Sequence, residues 1–459
     1  PSTARNTCGS TNRTNKKTSS SESVMAMSYS KRKAIYGGPG AKFWAVLALA
    51  GLASLAAGPR LLPTPDFAGL YRPVPDRLLP TTRREGDSLR IFINHAATVL
   101  GSAAPTLRLT GWAAFEAKQP LWQEVRAARP YPGSNPAAPV QVLTVAVAAA
   151  RLTPGAVLQV SVDKPSLTNQ PPTSDQDAAT TAWLRLTPEL LARPFILLDS
   201  TGLVLARPYL NAGEGVAVAT YGLAQPVRWR RYPTGASALP PFTDPRTQAA
   251  APRTLGVLDS SAAPVASGNL LRFATTGLYA LKVGGAGGEP VRTLPLLVVP
   301  ASFPGQSTAP EIIEPLRYLT TSAERQALLK APEPKRAIDR FWLDAAGGDQ
   351  TRGRDLIRRY YSRVTTANEV FTSHKAGWLT DRGLLYVVLG PPQSVRRLAD
   401  GTERWHYDQA GRQGEAVAFT FRPRPSTLAP DNYELVRRPE YELLWYAAVE
   451  QWRRTTTAR

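Results

Sequence analysis

The chain holds few side chains that could act as a nucleophile or a general base. Its histidines are His95, His374 and His406, which lie far apart in the sequence. Ser373, His374 and Asp381 form the best hydrolytic set that can be drawn, since such chemistry needs a nucleophile with a positioned base. Groups so close along one segment are more typical of a surface cluster, and no Gly-x-Ser-x-Gly elbow is present. The sequence therefore predicts no catalytic residues and a protein that is not an enzyme.

Metal and cofactor chemistry finds no better candidates. Cys8 is the single cysteine, so neither a disulfide framework nor a cysteine-based zinc site can form. No spacing of histidines and carboxylates matches a ligand set. The glycine-rich run 284–288 lacks the Lys-Ser/Thr tail of a phosphate-binding loop, and its place between predicted strands favours a hairpin turn. We predict no metal, no cofactor and no small-molecule substrate.

The formal net charge is +20, and its distribution is uneven. Residues 1–42 carry many basic side chains against the single acid Glu22, whereas the remaining excess is arginine spread over all segments, as in 228–231. A nucleic-acid reader would gather its basic residues on one face of a known reader fold, and no such signature is present. We predict a basic disordered segment over 1–42 and no nucleic-acid binding.

An apolar run follows this basic segment. Residues Phe43 to Ala57 are apolar or small, about the length of a signal-peptide core and short for a spanning helix. Residues 43–58 are therefore predicted to be a signal peptide or an N-terminal membrane anchor. Both leave the body of the protein outside the cytoplasm, in the periplasm or at the outer membrane. The start codon (Met25 or Met27), cleavage, and lipidation of Cys8 stay open.

The body begins with β-structure. Residues 59–85 are rich in proline and are predicted to be a linker. Alternating apolar and polar residues in 88–93, 106–110, 140–147 and 157–162 then predict an antiparallel sandwich over 86–190.

A second sandwich is predicted over 191–300. Its most specific feature is Gly277 two residues before Tyr279 at the entry to an alternating strand, which resembles the tyrosine corner of Greek-key sandwiches. We expect two immunoglobulin-like sandwich units, and such units usually bind or space rather than catalyse.

After residue 300 the apolar period becomes helical, with helices predicted at 337–344, 355–361 and 440–453. We interpret Thr380 and Asp381 as side-chain caps of a turn. Arg382 is expected to pair with Asp381 or to stack on Trp378, and Gly383 to take positive φ. Residues 386–389 are predicted to form a buried strand, which Gly390, Pro391 and Pro392 end.

This C-terminal part, 301–459, carries a motif that names a family. The run Gly377-Trp378-Leu379-Thr380-Asp381, continued by Arg382, Gly383, Tyr386, Gly390, Pro391 and Pro392 and by Trp405 and Tyr407, resembles the GWxTD-domain proteins. The resemblance implies an α+β domain in an exported envelope protein of the Bacteroidetes type, and it implies no reaction. We expect most of the motif to be structural.

A weaker similarity covers about thirty residues. The segment from Leu389 through Trp405 and Tyr407 to Phe421 is similar to the small lipoprotein of the outer-membrane β-barrel assembly machinery, which acts as a scaffold. The candidate anchors for a partner are Trp378, Trp405, Trp445 and Trp452; we assign Trp378 and Trp405 to the core and leave Trp452 open.

Together these features predict a multidomain chain of two all-β units followed by an α+β domain. The expected function is a non-enzymatic scaffold or partner-binding component of a cell-envelope complex for outer-membrane assembly, secretion or gliding. The N-terminal segment would attach it to the membrane if it stays uncleaved. The alternative is an envelope hydrolase or carbohydrate-active protein with a site between the domains.

Overall fold

The computed structural model describes residues 65–73, 77–96, 105–132, 138–162, 180–244, 255–408 and 416–453. The chain divides into Pro1–Leu62 and Pro63–Arg459, and every described residue belongs to the second unit. The predicted basic segment 1–42 and the signal peptide or anchor 43–58 lie outside the described residues. Within the described ranges, no helix is long and apolar enough to cross a membrane.

Two four-stranded sheets form the first β-sandwich. Its strands are β1 Leu79–Glu85, β2 Ser88–Ala96, β3 Thr106–Trp112, β4 Trp122–Ala127, β5 Arg129–Pro130, β6 Val140–Ala148, β7 Val157–Val162 and β8 Thr181–Arg185. They pair antiparallel in the orders β1-β2-β6-β5 and β4-β3-β7-β8. Leu89, Ile91 and Ile93 of β2 share one buried cluster with Leu107 and Leu109 of β3. The alternation read from the sequence thus marks the inner faces.

The second β-sandwich follows a short helix, α1 (Pro188–Ala192). Its strands are β9 Phe195–Asp199, β10 Tyr209–Asn211, β11 Gly215–Thr220, β12 Pro226–Tyr232, β13 Asp259–Ser260, β14 Val265–Ala266, β15 Leu270–Arg272, β16 Gly277–Val283 and β17 Arg292–Val299. One sheet has the order β15-β11-β9 and the other β10-β17-β16-β12-β13, with β14 also on β12. The β10–β17 pair is parallel, whereas the others are antiparallel.

The hydroxyl of Tyr279 donates a hydrogen bond of 2.8 Å to the carbonyl of Thr275. This is the bond that a tyrosine corner makes. Gly277, at φ 152°, takes a backbone conformation open to glycine, and an added Cβ would lie 3.3 Å from the Tyr232 carbonyl oxygen.

Helices and one antiparallel sheet make up the C-terminal part. The helices are α2 Ala309–Ile313, α3 Ser322–Lys330, α4 Pro334–Ala345, α5 Gln350–Phe371, α6 Asp381–Leu389 and α7 Tyr441–Arg453, with 3₁₀ turns at Glu314–Tyr318 and Gly377–Leu379. The strands β18 Ser394–Arg397, β19 Glu403–Asp408, β20 Ala416–Pro423 and β21 Tyr433–Leu435 pair in that order. The predicted class, two immunoglobulin-like sandwich units followed by an α+β domain, is confirmed.

One predicted strand is wrong. Residues 386–389 form the end of α6, not a strand. The run 384–389 is apolar throughout, and a short continuous apolar run does not distinguish a buried helix from a buried strand. Thr380 caps this helix, and Gly390, at φ 94°, ends it.

The expected linker 59–85 takes part in two cores where it is described. Phe67 and the 3₁₀ turn Ala68–Tyr71 are buried in the core of the C-terminal part, while Leu79–Glu85 is β1. Pro80 fits β1 because this strand is the edge of its sheet, where a missing N–H is tolerated. Proline content alone therefore misassigned this segment.

Tyr279→Phe removes the donor of the corner hydrogen bond. We expect the free energy of unfolding of the second sandwich to fall by about 1 kcal/mol. Chemical denaturation followed by tryptophan fluorescence measures it, because Trp229 lies 5.5 Å from the Tyr279 ring. Tyr446→Phe, at a side chain that is 54% exposed, is the control. Equal denaturation midpoints for the two variants would contradict a stabilising corner.

Candidate functional site

The Gly-Trp-x-Thr-Asp run forms the tight connection between α5 and α6. Gly377 N–H donates to Thr372 Oγ1 at 2.9 Å, which anchors the run to the end of α5. Thr380 Oγ1 donates to the Gly377 carbonyl at 2.7 Å and accepts from the Gly383 N–H at 3.0 Å. This one hydroxyl therefore closes the 3₁₀ turn and caps α6.

The two glycines of the run permit backbone to touch backbone. A Cβ on Gly377 would lie 1.8 Å from the Ala367 carbonyl oxygen, and one on Gly383 would lie 1.9 Å from the Gly377 carbonyl oxygen. Gly383 lies inside α6, so the expected positive φ at this position is wrong. Its role is close packing, which only a residue without Cβ allows.

Asp381 joins α6 to the sheet. One carboxylate oxygen accepts from the Leu435 N–H at 2.7 Å, and the other accepts from Arg437 Nη2 at 2.6 Å. The expected pair with Arg382 is therefore wrong. Asp381 lies at the start of α6, where the helix dipole also favours a negative charge.

Arg382 and Arg397 meet at the buried carboxylate of Glu403. Their guanidinium nitrogens lie 3.5 Å and 3.1 Å from Glu403 Oε1. Glu403 is fully buried, and its other oxygen accepts from Trp405 Nε1 at 3.1 Å. Arg382 also stacks on Tyr433, 4.1 Å from the ring centroid, and not on Trp378. We call Arg382, Arg397 and Glu403 with Tyr71 the buried ion cluster.

Charge neutralisation governs the buried ion cluster. Burial alone would raise the pKa of Glu403, but Arg397, Arg382 and the hydrogen bonds from Tyr71 and Trp405 hold this pKa below its ordinary value. Burial raises the pKa of Tyr71, whose hydroxyl stays protonated and donates to Glu403 Oε1 at 2.6 Å. The cluster is thus a carboxylate with two guanidinium ions and a neutral phenol.

The N-terminal residues of the described body complete this cluster. The Phe67 N–H donates to the Val395 carbonyl at 2.9 Å, so this segment pairs with the edge of β18. Asp66 accepts from the Val395 N–H at 2.8 Å. The Phe67 ring packs edge-on against Phe115 and Trp183 of the first sandwich, at centroid distances of 5.4 Å and 5.3 Å. This segment therefore contacts both the first sandwich and the α+β domain.

The remaining motif residues are placed in or beside the core. Trp405 is fully buried, and the Tyr407 hydroxyl donates to the Gly390 carbonyl at 2.9 Å. Tyr386 and Pro392 are buried, and Pro391 is exposed. Trp378 is half-buried, with the Arg317 guanidinium 5.5 Å from its ring.

The hydrolytic set does not assemble as a triad. Ser373 Oγ lies 3.1 Å from His374 Nδ1, but both carboxylate oxygens of Asp381 are bound elsewhere. Burial, with the neighbouring Lys375, lowers the pKa of His374 to about 4, so the ring is neutral at pH 7. His95 and His406 lie on β2 and β19. Among the described residues, no group of three or more His, Cys, Asp or Glu could hold a metal ion.

Three of the four weighed tryptophans are core residues. Trp405, Trp445 and Trp452 are each at most 6% exposed. Leu443 and Tyr446, on the outer side of α7, are 84% and 54% exposed instead. A groove of about 670 Å³ runs along α7 and is lined by Phe242, Tyr318 and Tyr446 among others.

Sequence reasoning missed Tyr71, Arg397, Glu403 and Arg437. A signal for Glu403 existed, because it lies two and four residues before Trp405 and Tyr407 and so faces the same side of β19. Tyr71 gave none, since its partner Glu403 is 332 residues away in the sequence.

Gly383→Ala should destabilise the C-terminal part by about 3 kcal/mol or more, because the new methyl would overlap the Gly377 carbonyl. The thermal midpoint of the purified chain is the measurement. Gly256→Ala is the matched control, since nothing lies within 4 Å of an added Cβ there and φ is not positive. A Gly383→Ala variant as stable as the Gly256→Ala variant would contradict the close-packing role.

Glu403→Gln leaves two buried guanidinium ions without their anion, and we expect it to lower the free energy of unfolding by about 3–5 kcal/mol. The matched control is Glu434→Gln on the neighbouring strand, where the side chain is 58% exposed and little should change. Chemical denaturation at neutral pH compares them.

The same variant changes the response to acid. The pKa of Glu403 is lower in the folded chain than its ordinary 4.5, so the stabilisation is complete above pH 4.5 and is lost as pH falls through the folded value. Denaturation midpoints of the parent chain should fall more steeply below pH 4.5 than those of Glu403→Gln. Parallel pH profiles would show that Glu403 does not carry the charge of the cluster.

Known proteins were compared with this chain by sequence and by structure. No curated protein matches the chain. Among solved structures, "Crystal structure of DIP-gamma IG1+IG2" is 9% identical and "Anomalous substructure of Titin-A168169" is 11% identical. Each match covers 49% of this chain and 96% of the other, at a TM-score of 0.13. Residues 277–454, a range that holds the whole motif and Glu403, match the model of the GWxTD domain, and this part of the chain therefore belongs to that domain family.

Proposed function

We propose that this protein is a non-enzymatic scaffold, a partner-binding component of a cell-envelope complex. In this proposal the two sandwich units space or bind, and the GWxTD domain docks to the other components. The proposal rests on one observation: the polar groups of the signature side chains are bound within the chain itself. Thr380, Asp381 and Arg382 direct their polar groups to contacts inside the chain. Such side chains hold a shape, whereas catalytic groups must remain available to a substrate.

The continuity of the core supports a scaffolding role. One apolar cluster extends from Phe67 through Phe115 and Val157 of the first sandwich to Trp452 in α7. A module tied to its neighbours in this way keeps its binding surfaces in a fixed relation. Preorganised surfaces lose less conformational entropy when a partner binds.

Export is proposed from the sequence. The apolar run from Phe43 to Ala57 follows a basic stretch, as in a signal peptide or an N-terminal anchor. Either arrangement would place the body in the periplasm or at the outer membrane. Partners would then be proteins of an outer-membrane assembly, secretion or gliding complex.

Affinity purification of the tagged chain from detergent-solubilised membranes tests the proposal. We expect the chain in the membrane or periplasmic fraction, together with stoichiometric partner proteins. Recovery of the chain alone and from the cytosol would overturn both the export and the scaffold proposals.

Two surface variants identify the docking module. Leu443→Ser with Tyr446→Ser changes exposed apolar side chains of the GWxTD domain, and Leu121→Ser with Val125→Ser changes exposed ones of the first sandwich. If the GWxTD domain docks, the first pair should reduce partner recovery and the second should not. The reverse result would assign docking to the sandwich.

A further inference from the structure

The sheet β18–β21 has two chemically different faces. The inner face carries Val395, Trp405 and Phe419, each at most 1% exposed. The alternate residues point outward, and Arg396, Arg404 and Arg422 on three neighbouring strands are all exposed. This outer face is a second feature of the domain, separate from the buried ion cluster on the inner side.

The register of the strands concentrates positive charge on the outer face. Arg396 of β18 lies directly opposite Arg404 of β19. Directly opposite side chains have Cβ atoms about 5 Å apart, and like charges there destabilise a sheet. The fold therefore keeps an arrangement that its own stability does not favour.

The arginines of this face lack ion-pair partners in the described part of the chain. The face has two acids, Asp408 of β19 and Glu434 of β21; Glu434 is opposite Arg422 in the register but lies 3.7 Å from Arg424 Nε. Arg396, Arg404 and Arg422 form no salt bridge with a described residue. His406 lies on the same face of β19, two residues after Arg404 and opposite Ser394 in the register.

We propose that this arginine face binds the headgroups of an anionic lipid surface. Guanidinium groups bind phosphate oxygens through paired N–H donors, and basic residues near an anionic membrane add affinity roughly independently. The face has no exposed aromatic ring, whereas single-stranded nucleic acids are held by stacking on aromatic side chains. Exposed guanidinium groups on three neighbouring strands can contact several headgroups of one lipid surface at the same time.

The proposal goes beyond the scaffold function and does not depend on it. The arginine face would contact lipid headgroups, whereas the docking surface of the proposed function would contact protein partners. It also does not need the N-terminal segment, so the two contributions to membrane attachment can be separated by experiment.

Binding of the purified full chain to vesicles tests it. The probes are vesicles of pure phosphatidylcholine and vesicles of equal parts phosphatidylcholine and phosphatidylglycerol, with the two dissociation constants compared as a ratio. Arg396→Gln/Arg404→Gln/Arg422→Gln should reduce this preference for anionic vesicles by roughly tenfold to a hundredfold. Raising the salt from about 0.1 M to about 0.5 M should remove most of the difference.

The control triple variant removes the same charge from exposed helical positions, Lys335→Gln/Arg340→Gln/Arg354→Gln. It should change the preference by less than about twofold, since these positions share no face with the sheet. Equal losses in the two triple variants would show a net-charge effect and overturn the proposal. An unchanged preference for anionic vesicles in the sheet variant would also overturn it. Arginine-dependent binding of a single-stranded oligonucleotide, with no binding to vesicles, would do the same. Unchanged thermal midpoints exclude unfolding as the cause.

Discussion

The buried carboxylate of Glu403 is the constraint on which the architecture depends. A fully buried anion must find compensating charge and hydrogen bonds within the fold, and Glu403 finds them on three other pieces of chain. Arg382 brings α6, Arg397 brings β18, and Tyr71 brings a segment from 332 positions earlier. The C-terminal part and the segment around Tyr71 must therefore pack against each other in the folded chain. If one partner is displaced, the remaining charges lie in an apolar core.

The aromatic residues explain how two arginines can share one carboxylate. The guanidinium of Arg382 lies over Tyr433, and that of Arg397 lies 5.2 Å from both the Phe67 and Phe115 rings. Ring faces are negative, so they stabilise the excess positive charge that Glu403 leaves. An apolar cluster of equal volume would often be as stable. Since Phe115 belongs to the first sandwich, we interpret the buried ion cluster as an arrangement that fixes the orientation of the α+β domain relative to that sandwich.

Much of the fold follows from local patterns, and the site does not. Strands such as β2 and β16 were predictable because apolar alternation depends only on neighbouring residues. Residues 386–389 were misassigned because a helix buried on all sides shows no period. The roles of Gly377 and Gly383 depend on contact between two backbone segments, and the partner of Arg382, Glu403, lies 21 residues further along the chain. Such contacts are products of tertiary packing, which a single sequence does not encode locally.

The two faces of the sheet β18–β21 differ in role: the inner face packs against the core, and the outer face is the proposed lipid-binding surface. Glu403 and Arg404 are consecutive, yet Glu403 is fully buried in the ion cluster and Arg404 is exposed opposite a like charge. The inner side uses its ionic groups to fix the packing of α6 and the N-terminal segment. Because those groups are already bound, the signature itself has little left to offer a partner. The outer arginines form no salt bridge with a described residue and keep their donors available, as the proposed contact with anionic headgroups requires.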